Sequence, residues 1–393
     1  MPASQLDLPP WIPPKPTTAT DLEWAPLNTL DLSLIKGDNY DEIPTSLVQN
    51  VGESFNRDGF MYAENHGWSH DQVLRQFAIG QAAFNIVSDE DKVKYKADMI
   101  NKGSFVGFKP AGHWKSGDAA VADRIEQLNF GTQSFSQEAR QRLYPQSIQH
   151  LIPEIDDFNH FNHDVVLRKV LNVLSLVLKL PVDTLWNLSN DASQGLDLLR
   201  YALYHTPEEK DDKALGGVRL QGHTDFNSVS ILWSQPITSL EVLMPDNQWR
   251  LVKHRDNAIV LNLGDAMQFL SGGFLKPTIH RVVAPPADQA HYERLGVFFF
   301  GLFNDNVPLE PLTDSPIVQK ALGGKDLWAE TRAAGKKIPT AGDWERERVR
   351  RYGQGGVKKG ENGEVHKHEE FAGQKIYEYG GPRAGAAPAQ AGI

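Results

Sequence analysis

The sequence predicts a mainly β protein with helices: a core of two antiparallel sheets of the jelly-roll type, behind a mostly helical N-terminal region. Three observations lead there. Short apolar runs recur between residues 196 and 305 with turn signals between them, which marks a sandwich or barrel of many short strands. The stretch Ile155–Leu180 is apolar around most of its girth and stops at Pro181, as a long helix packed on two sides should. The chain has 393 residues, 40% hydrophobic and 23% charged, enough to bury a sizeable core at ordinary globular composition.

In chain order, residues 1–29 read as an extended arm, since 1–20 are rich in Pro and Thr and show no period. A short strand is expected near Leu30–Leu34 and a second over Asp58–Gly67, ending in a polar turn. Ser69 with Gln72 fits a capping box, and the helix it opens sets Val73, Leu74, Phe77, Ala78 and Phe84 along one face. Ser88 before Asp89, Glu90 and Asp91 marks another helix start, because carboxylates favour the positive end of a helix. Strands are then expected at Leu198–Tyr204, Val218–Gln221, Ser228–Trp233, Leu240–Met244, Trp249–Val252, Ala258–Leu263, Met267–Leu270, Ile279–Ala284 and Leu295–Phe303. Asp246-Asn247, Gly264-Asp265 and Gly272-Gly273 punctuate them. The division is an arm at 1–29, a helical region at 30–190, a core at 191–316 and a polar extension at 317–393. Within the extension Trp344–Arg351 fits a short helix, and the Ala/Gly/Pro-rich tail after Gly380 reads as disordered.

Composition removes several classes. Lys and Arg total 40 against 50 Asp and Glu, for a net charge of −10. That argues against nucleic acid and anionic membrane surfaces as partners. With no cysteine, disulfides, thiolate nucleophiles, iron–sulfur clusters and Cys-type zinc sites are excluded. A metal must then be held by His, Asp, Glu or carbonyl oxygens. Val165–Leu180 carries Arg168, Lys169, Asn172 and Lys179, so it reads as a buried helix and not a membrane span. The first residues lack a basic flank followed by an apolar run. A cytoplasmic protein is expected, with no obligate protein partner.

The strongest chemical signal is Gly222-His223-Thr224-Asp225 with His280 further along. Residues two apart on a strand share a face, so His223 and Asp225 can reach one metal ion from one strand end. His280 lies in another expected strand. Two His and one carboxylate leave three coordination positions open, the arrangement of non-haem Fe(II) oxygenases. Two of those can take a 2-oxo acid and the third O2. Arg294 enters an otherwise apolar strand, where a buried charge needs a partner. It can hold a distal carboxylate in bidentate fashion, or pair with Glu293 or a surface acid. Arg281, next to His280, should face the other way. Alternation puts Arg200, Ala202 and Tyr204 on one face. The Tyr204 phenol can donate to a cosubstrate carboxylate, or simply pack at the sheet end.

At these residues the sequence resembles the isopenicillin N synthase-like family of 2-oxoglutarate- and Fe(II)-dependent dioxygenases, over roughly Leu30 to Pro311. Three blocks carry the resemblance: Asp58-Gly59-Phe60 through Asn65-His66-Gly67; Gly222-His223-Thr224-Asp225; and Asn262-Leu263-Gly264-Asp265 leading to Lys276-Pro277-Thr278-Ile279-His280-Arg281-Val282. It implies a distorted double-stranded β-helix core, iron on His223, Asp225 and His280, and Arg294 gripping 2-oxoglutarate with help from Tyr204. It implies O2-dependent oxidation of a small molecule: hydroxylation, desaturation or cyclisation by C–H abstraction. Two positions depart from the family pattern. Gly296 stands where Arg-x-Ser is usual, and Ala202 where many members carry Asn. Two other readings stand beside this one: an Fe(II) oxidase of the same family that needs no 2-oxoglutarate, and a non-catalytic jelly-roll protein that binds a metal or ligand.

The substrate pocket is expected from the loop Phe105–Trp114, the strand Glu126–Phe130 and the strand end near Phe303. The loop is aromatic yet broken by Gly and Pro. It reads either as a surface loop pinned by its rings or as a cover over the barrel mouth, where ligands of this architecture sit. In the second reading Phe105, Phe108 and Trp114 supply apolar contact and Lys109 or His113 orients a polar group.

Overall fold

In the computed structural model the described residues are 8–36, 40–116, 121–191, 193–352, 358–359 and 365–380. Two sheets are stacked face to face. The larger has eight strands in the order Thr29–Asp31, Phe60–Glu64, Ile259–Leu263, Val229–Trp233, Arg294–Gly301, Leu198–Tyr204, Ile125–Gly131 and Gly107–Lys109. The smaller runs Trp249–Leu251, Leu240–Leu243, His280–Val283, Val218–His223, Gln374–Gly380, Val365–Phe371 and Lys358–Lys359. Pairing is antiparallel except between the first two strands of the larger sheet. Between the sheets, Phe60, Tyr62, Leu232 and Val260 meet Leu240 and Val242, while Ala202 and Tyr204 meet Val282.

The other face of the larger sheet carries the helices. The expected capping box forms, with Ser69 accepting from Gln72 N at 3.3 Å and Gln72 Oε1 accepting from Ser69 N at 2.9 Å. That helix, His70–Ile86, runs close to the strand Leu198–Tyr204: a Cβ on Gly80 would lie 2.6 Å from Tyr201 Cδ1. The long apolar segment is helical from Ile152 to Val177 but interrupted by a π-helical stretch, Phe161–Leu167. Asn162 within that stretch donates to Phe158 O and accepts from Trp233 Nε1 at 3.0 Å. A side-chain bond to the sheet thus accompanies the wider turn.

The N-terminal region also supplies four strands to the larger sheet, three of them near those expected at Leu30–Leu34, Asp58–Gly67 and Glu126–Phe130. Two expectations change. Met267–Leu270 is helical, within Asp265–Leu270; a buried apolar run this short looks the same from sequence in either state. The C-terminal extension is part of the core as far as it is described. Its helix Ala341–Arg351 is capped by Thr340 and buries Trp344 and Arg348, and Tyr379 pairs with Gly222 next to His223. The tail after Gly380 lies outside the described residues. The arm lies on the body from Leu8 onward, with Trp11 stacked on Phe77 at 4.4 Å and Thr18 N donating to Asp288 at 2.7 Å. Among the described residues no helix is long and apolar enough to cross a membrane.

One buried ion pair fastens the C-terminal helix. Arg348 Nη1 donates to Asp265 Oδ2 at 3.0 Å, Trp344 Nε1 donates to the same oxygen at 3.2 Å, and Arg348 Nη2 donates to Thr224 O at 3.0 Å. Removing one member of a buried pair leaves the other uncompensated, at a cost of roughly 3–5 kcal/mol. Arg348→Met should therefore lower unfolding free energy by about that amount in urea denaturation, and Arg348→Lys by less.

Candidate active site

The strand Val218–His223 ends at His223, and Asp225 lies just beyond it. The shared-face argument from strand alternation therefore does not place Asp225. Hydrogen bonds do: its Oδ2 accepts from Ser230 Oγ at 2.5 Å and from Asn262 Nδ2 at 2.7 Å. Asp265 N donates to the Asp225 carbonyl at 2.8 Å. His280 starts the neighbouring strand and is paired in register with His223. The peptide before that strand is braced by Gly59, which has φ +66° and would bring a Cβ to 2.5 Å from Lys276 O. Only glycine tolerates that combination of backbone and space.

The three side chains converge. Asp225 Oδ1 lies 3.8 Å from Nε2 of His223 and 3.8 Å from Nε2 of His280. One ligand atom from each residue falls within 4.8 Å of the others. Each imidazole is oriented by the carbonyl two residues before it: His223 Nδ1 lies 2.8 Å from Gln221 O, and His280 Nδ1 lies 3.2 Å from Thr278 O. Nδ1–H donation fixes the tautomer and leaves both Nε2 lone pairs free. Burial, and then His280, push the His223 imidazole down to about 4, so it is neutral at pH 7. For Asp225 burial works against ionisation, but the two histidines, Ser230 and Asn262 outweigh it and hold the carboxyl below its usual range. Two imidazoles and a carboxylate, with Nε2, Oδ1 and Nε2 converging, suit a divalent cation with open positions.

Arg294 lies in the wall of the same cavity. It is 6% exposed, and its Nε and Nη1 have no hydrogen-bond partner among the described residues. Glu293 is turned away to His205 Nδ1, at 2.6 Å. The guanidinium stands 5.1 Å from the Tyr204 ring centroid, directly across the strand pair. Burial lowers its pKa from the usual arginine range. A buried guanidinium with orphaned donors is costly unless an anion completes it, and a carboxylate fits its fork. Arg281 is spent elsewhere, donating to Glu241 at 2.8 Å. The Gly296 departure also has a physical reason. A Cβ there would lie 2.4 Å from Phe298 Cε2, so the Phe298 ring fills the space a serine needs.

Of the residues expected to line the substrate pocket, Phe105 and Trp114 reach the cavity and Phe108, Lys109 and Phe303 do not. Phe108 and Phe303 are buried in the core on the helix side of the sheet. Phe303 is out of phase with Arg294, Phe298 and Phe300, which face the cavity. Lys109 is fully buried in an ion pair with Asp123, donates to Ile125 O at 2.6 Å and lies 4.1 Å from the Trp114 ring centroid. Burial pushes its pKa down to about 8. It braces Trp114 from behind and cannot reach a ligand. His113, half-buried, likewise does not line the cavity. Gln127, in the strand Glu126–Phe130 expected to line the pocket, is in the cavity wall, as are Arg200, Phe300, Glu345 and Tyr352, to which sequence reasoning gives no place in the pocket. Alternation puts Arg200 on the face of Tyr204 without giving it a role. Nothing local marks Glu345 or Tyr352, which arrive from the C-terminal helix and the residue after it.

The Phe298 packing has a testable consequence. Gly296→Ser should destabilise the fold by about 1–3 kcal/mol, as an overpacked site does. Gly296→Ser with Phe298→Ala should recover most of that loss. Thermal melts of the two variants read it directly.

Comparison with known proteins agrees with this geometry. Residues 196–301 match the family model of the 2OG-Fe(II) oxygenase superfamily, and residues 27–150 match that of the non-haem dioxygenase in morphine synthesis N-terminal region. A 2-oxoglutarate-dependent dioxygenase of Talaromyces stipitatus is 27% identical over 289 residues, 70% of this chain and 85% of the relative. Another, of Gibberella zeae, is 25% identical over 263 residues, 66% of this chain and 76% of the relative. The crystal structure of a full-length Neurospora crassa protein in complex with alpha-KG superposes with a TM-score of 0.67 at 18% identity, covering 82% of this chain and 95% of that one; it shares the fold. The chain belongs to the 2-oxoglutarate- and Fe(II)-dependent oxygenase family.

Proposed function

We propose that iron is held by Nε2 of His223, Oδ1 of Asp225 and Nε2 of His280, that Arg294 holds the distal carboxylate of 2-oxoglutarate, and that Tyr204 packs beside it. The enzyme then hydroxylates, desaturates or cyclises a small, largely apolar molecule. The observation that carries this reading is the buried Arg294 guanidinium. Among the described residues it has no acid partner, and it opens onto the cavity that holds the metal-ligand cluster. An Fe(II) oxidase that needs no oxo acid would have no use for that cation. A binding protein with a vestigial site would have no need of three intact ligand types.

When bound, iron and 2-oxoglutarate supply the oxidation, in which O2 is consumed, the oxo acid becomes succinate and CO2, and one substrate C–H bond is attacked. The chain's own residues orient and exclude. Gln221 and Thr278 carbonyls aim the imidazoles; Ser230 and Asn262 hold one carboxylate oxygen so that the other faces the metal. Phe105, Trp114, Phe226, Phe298 and Phe300 wall the cavity, and apolar walls keep water away from the reacting centre. On this reading the substrate lies against Phe105 and Trp114, with Phe300 taking the part expected of Phe303, which is supported by their lining of the cavity. A cytoplasmic setting belongs to the same reading, and a small-molecule substrate is supported by a cavity lined from both sheets.

His223→Ala, Asp225→Ala and His280→Ala should each lose stoichiometric Fe(II) and O2-dependent turnover while far-UV circular dichroism stays unchanged. Wild-type turnover with one iron bound would remove that residue from the ligand set. Losing a charge-assisted bidentate contact costs about 2–3 kcal/mol, so Arg294→Gln should raise the 2-oxoglutarate requirement roughly 30- to 150-fold. An unchanged requirement would place the distal carboxylate elsewhere.

A further inference from the structure

The cavity contains a second arginine. Arg200 lies on the cavity face of the strand Leu198–Tyr204, with its guanidinium between the rings of Phe105 and Phe300 at 4.7 and 4.9 Å from their centroids. Its Nε donates to Asn129 Oδ1 at 2.6 Å. That acceptor is neutral, and no carboxylate among the described residues forms an ion pair with Arg200. Both rings attract the guanidinium, and its terminal nitrogens, which make no hydrogen bond among the described residues, are left for a ligand in the cavity. Burial lowers its pKa to about 10, which leaves it cationic at neutral pH.

Arg200 and Arg294 serve different groups. Arg200 is opposite Phe298 in the strand pair, and Arg294 is opposite Tyr204. Their backbones stand four residues apart along the strand, about 13 Å, and their guanidiniums pack on different rings, Arg294 on Tyr204 and Arg200 on Phe105 and Phe300. Charge points the same way. On the cosubstrate reading above, which this inference rests on, the charges of Fe(II), Asp225, the 2-oxoglutarate dianion and Arg294 cancel. The remaining acid in the wall is Glu345. Burial pushes its carboxyl up to about 8, so it is mostly protonated at pH 7, and it makes no hydrogen bond or ion pair among the described residues. Gln127 is neutral. Arg200 therefore leaves one positive charge in a cavity otherwise walled by Leu198, Leu220, Phe226 and Phe298. A half-buried cation among apolar walls favours a partner of opposite charge.

We propose that Arg200 receives the carboxylate of the substrate, and that the substrate is an otherwise apolar monocarboxylic acid whose body lies along the aromatic wall toward the His223–Asp225–His280 cluster.

The test is calorimetric and needs no turnover. The full-length protein, kept anaerobic with Fe(II) and saturating 2-oxoglutarate, is titrated with matched acids and amides: 3-phenylpropanoic acid and 3-phenylpropanamide, 4-phenylbutanoic acid and its amide, octanoic acid and octanamide. At least one acid should bind about tenfold or more tightly than its amide. In Arg200→Gln that ratio should fall to within about twofold while 2-oxoglutarate affinity is unchanged, and Arg200→Lys should keep an intermediate preference. The proposal is overturned if no acid outbinds its amide, or if Arg200→Gln keeps the wild-type preference. Amides that bind more tightly than acids would assign the cavity to a neutral substrate. If the wild-type protein fails to bind 2-oxoglutarate, the cosubstrate reading falls first and takes this inference with it; if 2-oxoglutarate binds and the acid preference is absent, this inference alone falls.

Discussion

The register between the strands Leu198–Tyr204 and Arg294–Gly301 is the constraint on which the rest depends. Tyr204 is opposite Arg294, and every second residue then faces one way. Leu199, Tyr201, Leu203, Leu295, Val297 and Phe299 join the core under the helices. Arg200, Tyr204, Arg294, Phe298 and Phe300 face the cavity. A one-residue slip would drive both arginines into an apolar core and turn the leucines toward the metal ligands. The helix side prevents this: Gly80 admits the Tyr201 ring, and Gly301 admits Leu167, whose Cδ1 would lie 2.5 Å from a Cβ at that position. Packing on one face of the sheet thus holds the chemistry on the other.

The metal-ligand cluster depends on a second, smaller device. Asp225 lies past the end of its strand, where no ladder fixes it, and three connected hydrogen bonds take over. Asp265, which donates to the Asp225 carbonyl, is in turn held by Arg348 and Trp344 of the C-terminal helix. The same helix carries Glu345 into the cavity wall and is followed by Tyr352. The C-terminal segment therefore shapes the cavity and steadies the loop that carries Asp225 at once.

Much of this was legible in the sequence. The strands of the core fell where turn residues separated apolar runs, because burial against two layers demands that pattern. His223, Asp225 and His280 stood out through residue type and strand context, and Arg294 because a charge entering an apolar strand needs a reason. What was not legible came from contacts distant along the chain. Phe108 and Phe303 looked like pocket residues by composition, but alternation sends Phe303 to the opposite face, and Phe108 packs in the same helix-side core. Lys109 looked like a polar handle and is consumed by Asp123. The charged segment after Pro316 read as an extension, because nothing local says that Arg348 meets a buried carboxylate more than eighty residues earlier. Met267–Leu270 read as a strand because four apolar residues carry no period long enough to tell helix from sheet.

The central claim is that the orphaned Arg294 guanidinium is completed by the distal carboxylate of an oxo acid whose other end faces the metal-ligand cluster. Its most direct measurement compares anaerobic binding of 2-oxoglutarate and 2-oxobutanoate to the Fe(II)-loaded protein. The two share the same chelating head, and 2-oxobutanoate lacks the distal carboxylate. The account predicts that 2-oxoglutarate binds at least roughly 30-fold more tightly, the worth of one charge-assisted bidentate contact. Equal affinities for the two acids would contradict it.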